Sequence, residues 1–225
     1  MVKGKSHTGT WSRLDQVALD IEFLLISVVQ GVALAALAGG AAGIFTSLDW
    51  FAIPYAITAF LIVLIFWSGA IIHALSFIDW PLDLMHSFLY FLASFVEVMA
   101  FTHLENPMLW FIFILGFQIV SAVLYKYDLG LIKKHEARFS QSKESRALFA
   151  HTIGQQEREI NSYVPLAILY SAVAVGSIWF YPTLFIEKGY HLVFITGQLL
   201  FSVMFLKNSM QAFQKRSALL SRVIE

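Results

Sequence analysis

The chain has 225 residues, 58% of them hydrophobic, and its 15 basic and 15 acidic side chains leave no formal net charge. Its mean hydropathy is +0.70, well above a soluble domain, which runs at roughly 45–50% apolar. Cysteine is absent, so disulfides and Cys-ligated metal or iron–sulfur sites are excluded.

The apolar residues sit in blocks of about 20, roughly the length of a helix that crosses a ~30 Å hydrocarbon core. Six blocks are read: Asp20–Phe45, Phe51–Phe77, Leu82–Phe101, Met108–Tyr125, Tyr163–Tyr181 and His191–Leu206. The expected fold is all-α, a polytopic membrane protein of about six transmembrane helices forming one domain over residues 1–225. No cleavable signal peptide is read, because no small-residue cleavage site follows a short apolar stretch.

The first helix carries Gly31, Ala35, Gly39 and Gly43 at four-residue spacing. Small residues at this spacing let two helix backbones approach closely in lipid. A second face carries Asp20, Ser27, Gln30, Leu34 and Leu37. Polar toward its start and apolar further on, it can line a water-filled path with a hydrophobic constriction at Leu34 or Leu37. In the alternative reading, Ser27 and Gln30 hydrogen-bond to neighbouring helices. Asp20 and Glu22 fall near the interface, where solvent can reach them.

The second helix holds Trp67 and His73, and a short turn over Ile78–Pro81 brings Asp79 before the third. Asp79, Asp83, His86, Tyr90 and Glu97 then fall on one face of the third helix. Glu97 lies deep in the apolar block, where an ionised carboxylate is costly and needs a partner or a proton. It reads either as a functional group or as a buried tie to a His, Tyr or Gln on an adjacent helix.

After the fourth block comes the charged segment Lys126–Ser162, which lacks proline. Extensions of the flanking helices, joined by a polar turn, are expected there. The remaining connections, Thr46–Trp50, Thr102–Pro107 and Pro182–Tyr190, are short enough to make neighbouring helices antiparallel. With both termini cytoplasmic, 14 of the 15 basic residues fall inside and only Lys188 falls outside. The Ile78–Pro81 turn is the weak point of this topology, since it would be cytoplasmic yet has an acid and no base. Trp11, Trp50, Tyr55, Trp80, Trp110, Tyr163, Tyr181 and Tyr190 sit near block ends, as an interfacial aromatic belt would.

His73, Asp79, Asp83, His86 and His103 are of metal-ligating type, but no paired-ligand helix motif links them, and no metal or other cofactor is read. Gly-rich phosphate loops and nucleophile elbows are also missing. The basic segment reads as a solvated face near anionic lipid, not as a nucleic-acid surface.

Tyr55 through Trp67, then His73, Phe77-Ile78-Asp79 and a Leu-rich helix, resemble the prokaryotic members of the endolysosomal transmembrane potassium channel family. Trp67 and His73 take the places of the family's second-helix Trp and His, with a wider gap between them. Its first-helix signature, Arg before Phe-Ser-Asp, finds its nearest match in Arg13 with Ala18-Leu19-Asp20, without the Phe and Ser. The resemblance implies a six-helix tetramer in a bacterial inner membrane that conducts cations along the first helix, with no substrate chemistry.

The leading expectation is therefore an oligomeric channel or permease-like protein, not an enzyme, for a monovalent cation, K⁺ or H⁺. Two alternatives stand beside it. One is a non-conducting scaffold or sensor that docks a cytoplasmic partner through the charged Lys126–Ser162 segment and the C-terminal tail Lys207–Glu225, a surface that charge reversal of Lys133, Lys134 and Arg138 would test. The other is an intramembrane enzyme using the His, Asp and Glu groups.

Overall fold

The computed structural model describes residues 8–77, 83–134 and 143–224. These residues form seven α-helices: α1 (Thr8–Ser47), α2 (Ile53–Phe77), α3 (Leu84–Phe101), α4 (Pro107–Lys134), α5 (Lys143–Arg158), α6 (Val164–Phe180) and α7 (His191–Ile224). Six stretches are long and apolar enough to cross a membrane: Asp20–Ser47, Ile53–Ile71, Leu84–Phe101, Pro107–Lys134, Arg146–Phe180 and His191–Leu219. Asp79 lies outside the described residues.

Local chemistry sets the helix ends. The α1–α2 turn places Leu48 at φ 53°, and Asp49 Oδ1 accepts the Phe51 N–H at 3.0 Å. Asp83 caps α3 by accepting the His86 N–H at 2.9 Å. Asn106 does the same for α4 through the Leu109 N–H at 3.1 Å, with Pro107 at a position that needs no donor. Between α5 and α6 the helix continues through one wide turn, Glu159–Tyr163, instead of breaking. Pro165 follows immediately, and its missing N–H is accommodated in the first turn of α6. A second wide turn, Thr183–Glu187, and Gly189 at φ 76° lead into α7.

α3 packs on α4, α2 lies between α1 and α7, and α6 packs on α4. The polar α5 leans on the last part of α7. Lys133 and Lys134, at the end of α4, mark a basic end of the bundle, shared by the start of α3. The α1–α2 and α3–α4 turns mark the opposite end.

α1 turns Ile26, Gln30, Ala33, Leu37 and Ile44 inward and leaves Leu24, Val28 and Val32 exposed. Gly31, Ala35, Gly39 and Gly43 also face outward. A Cβ at Gly31 or Gly39 would meet nothing within 4 Å, and one at Gly43 would meet the Glu105 side chain at 3.8 Å, so the stripe makes no close backbone approach inside the protomer. The close approach occurs one residue on, at Gly40, where a Cβ would stand 2.6 Å from the Phe101 carbonyl oxygen.

The aromatic belt needs one correction. Trp50, Tyr181 and Tyr190 are exposed near the helix ends, but Tyr55 and Trp110 are fully buried. Trp110 packs edge-on to Tyr55 with ring centres 5.4 Å apart, and stacks on Phe101 at 6.4 Å. Each polar tip has an internal partner: Trp110 Nε1 donates to Gln198 at 3.0 Å, and the Tyr55 hydroxyl meets His191 Nδ1 at 2.9 Å. With partners supplied from α7, these rings gain more from packing than from the interface.

Candidate functional site at the crossing of α1, α3 and α4

The face of α3 that carries Asp83, His86, Tyr90 and Glu97 turns toward α1 and α4. At the basic end the Tyr127 hydroxyl donates to Asp83, 2.9 Å from each carboxylate oxygen. Burial pushes the Asp83 carboxyl up, but hydrogen bonds from the His86 N–H, the Tyr127 hydroxyl and the Met85 N–H outweigh it. The net result holds Asp83 below the usual carboxylate range.

One turn deeper, His86 Nδ1 lies 2.6 Å from Asp128 on α4, and its Nε2 lies 3.8 Å from Glu22 on α1. A single imidazole thus bridges two acids. The acids occupy opposite edges of the ring and share no point at which both could ligate one ion with it. Among the described residues no group of three or more His, Asp and Glu side chains is placed to hold a metal. His103 lies at the opposite end, with Nδ1 2.7 Å from the Met99 carbonyl.

A cavity of about 110 Å³ opens beside this bridge. Glu22, His86 and Asp128 line one wall, and Gln155, Glu159 and Arg216 line another. Gln156 fixes the α5 wall by donating to the Tyr125 carbonyl at 3.1 Å. Tyr90 and Phe66 form the floor, their rings stacked at 5.1 Å. A second cavity of about 110 Å³ continues from Ile65, Phe66, Tyr125 and Phe205 toward Gln118, Ser121 and Gln198.

Gln30, Ser94 and Glu97 lie behind the Tyr90 floor, with relative exposures of 2%, 3% and 0%. Gln30 Nε2 donates to the Tyr90 hydroxyl at 3.3 Å. The Glu97 carboxyl lies beside the Gln30 amide, yet neither of its oxygens has a hydrogen bond of good geometry. Along α3, Glu97 sits about 16 Å beyond His86, at 1.5 Å per residue. Above it, Phe101, Leu104 and Trp110 close the bundle with apolar surface.

The residues of the first-helix polar face therefore separate. Gln30 and Leu37 turn into the protomer, whereas Asp20, Ser27 and Leu34 are exposed. Trp67 is exposed on α2, and the side chain of His73 lies outside the described set. Two members of the site carried no strong sequence signal. Asp128 sits within an extended helix, and Glu22 sits near an expected interface. Their common partner, His86, is 42 residues away from one and 64 from the other. Lys133, on the expected docking face, pairs with Glu157 at 2.7 Å, and Arg138 lies outside the described residues. No protein-family model, curated protein or solved structure matches the chain.

Proposed function

We propose that the chain is a membrane permease for a monovalent cation, and that the ion moves within one protomer between the polar cavity and Glu97. The observation that carries this reading is the environment of Glu97. It is a fully buried carboxyl group whose oxygens have no hydrogen bond of good geometry, and among the described residues no Lys or Arg side chain is fully buried with it. A charge placed there calls for a compensating cation or a proton. Gln30 faces Tyr90 and Glu97, which supports a route inside the protomer over one along an axis lined by Ser27 and Leu34. The cavity at one end and the closed Phe101–Trp110 layer at the other fit a state open to one side only.

The basic residues support a cytoplasmic basic end with both termini inside. Because the chain has no cysteine, single-cysteine labelling tests this cleanly. An impermeant maleimide applied to intact cells should label Lys188→Cys and spare Lys134→Cys; the reverse pattern overturns the orientation. The outward stripe Gly31, Ala35, Gly39 and Gly43 supports assembly of copies through α1.

The test of function is cation flux into liposomes containing the purified protein. The reading requires flux of Na⁺, K⁺ or H⁺ that falls at least tenfold in Glu97→Gln. Absence of flux for all three, at either membrane polarity and with the protein folded, refutes it.

A further inference from the structure

The chemistry around Glu97 is specific enough to name the ion. We infer that Gln30, Ser94 and Glu97 form a binding site for a dehydrated sodium-sized cation. This rests on the permease reading and assigns its substrate.

Four buried oxygens there lack a hydrogen-bond partner: Gln30 Oε1, Ser94 Oγ and both carboxyl oxygens of Glu97. Their helices explain why they gather. Ser94 and Glu97 are three residues apart on α3 and share a face. The Gln30 amide on α1 contacts Tyr90, four residues before Ser94, and also Glu97, three residues after it. It therefore spans the level of Ser94, with the Tyr90 hydroxyl as a fifth oxygen at the edge.

Ser94 also leaves its commonest alternative unused. The buried hydroxyls of Thr58 and Thr152 donate to the carbonyl four residues earlier on their own helices, at 2.7 and 3.0 Å. Ser94 does not.

Such unmet buried oxygens are costly to leave alone. An all-oxygen set suits a hard cation. Its single formal negative charge balances one positive charge and would leave a divalent ion half compensated. A protonated Glu97 would donate to one neighbouring oxygen while the Ser94 hydroxyl donates to another, so a sodium-specific gain in stability is what separates a bound cation from a bound proton. Gln30, Ser94 and Glu97 line neither of the two cavities described, so the close packing around these oxygens favours a small bare ion over a larger one.

The experiment is thermal unfolding of the full chain in detergent, in NaCl, LiCl, KCl or choline chloride at equal ionic strength. A ligand that binds only the folded state raises stability by mass action. Na⁺ at a hundredfold above its Kd should raise Tm by about 5–10 °C over choline, and Li⁺ should act similarly. K⁺ should leave Tm unchanged. Glu97→Gln should abolish the Na⁺ shift. Ser94→Ala, which keeps the charge, should raise the Na⁺ concentration for half effect by about tenfold and leave Tm in choline nearly unchanged.

Equal Tm values for the unsubstituted protein in Na⁺ and choline overturn the inference. So does an equal shift with K⁺, or a Na⁺ shift that survives Glu97→Gln. Cation flux without sodium-specific stabilisation sinks this assignment alone, whereas sodium binding without flux sinks the permease reading alone.

Discussion

Gly39 and Gly40 are adjacent on one helix, and the structure assigns them opposite tolerances. Replacing either by alanine removes the same backbone freedom and gains the same helix propensity, about 1 kcal/mol. The difference between the two variants therefore isolates the surroundings. At Gly39 the new methyl meets nothing within 4 Å. At Gly40 it would stand 2.6 Å from the Phe101 carbonyl oxygen and 3.2 Å from Leu104 Cδ1. The first of these neighbours is backbone at the end of α3, so the clash is relieved only by moving α1 away from the α3–α4 turn. Displacements of this kind cost about 1–3 kcal/mol. Gly40→Ala should accordingly be less stable than Gly39→Ala by about 1–3 kcal/mol. At about 2–4 °C per kcal/mol for a chain of this size, thermal unfolding in detergent resolves that gap. Equal midpoints for the two variants, or a more stable Gly40→Ala, would show that α1 does not approach α3 at this position.

Three further outcomes follow from the side chains described. Trp110→Phe keeps the ring but strands the Gln198 Oε1 that Trp110 holds at 3.0 Å; unfolding should show a loss of about 1–3 kcal/mol, and no loss would mean water replaces the indole. Asp83 has its folded carboxyl below the ordinary value of 3.8, so its stabilising contribution is complete above that pH and fades as pH falls through the lower folded value. Tyr127→Phe removes the one hydroxyl donor that both Asp83 oxygens share and should shrink the difference between neutral and acid midpoints; an unchanged pH profile would refute this donor's role. Lys133 and Glu157 are each about half exposed, so solvent screens the pair and Glu157→Gln should change stability by less than about 1 kcal/mol, and less still in high salt.

The six long apolar helices were legible because span length is a strong constraint, and 20-residue apolar runs satisfy it whatever the packing. The inward face of α3 was legible for a related reason: His86, Tyr90 and Glu97 are polar in a helix that has few other places to put them. The partner face on α1 was harder to see. Its inward side, Ile26 to Ile44, is as apolar as its lipid side, so periodicity separates the two poorly. The regular glycine stripe drew attention to the outer face, while the close contact fell to Gly40, outside that repeat. Tyr55 and Trp110 read as belt residues from their positions near block ends. Their buried partners His191 and Gln198 come from a helix more than 80 residues further along, beyond any local pattern. The pairing of Glu22 and Asp128 through His86 was hidden by the same separation.

α7 runs unbroken over 34 residues, about 51 Å at 1.5 Å per residue, against a hydrocarbon core of about 30 Å. About 21 Å, or two fifths of its length, therefore extends past the hydrocarbon core as a continuous rod. A soluble helical module spliced in frame onto Ile224 would inherit that direction, and each residue added to the junction would turn it by about 100° around the axis. A protein this small offers little contrast outside the bilayer for imaging; this rod supplies a built-in mount whose angular setting is chosen by counting residues.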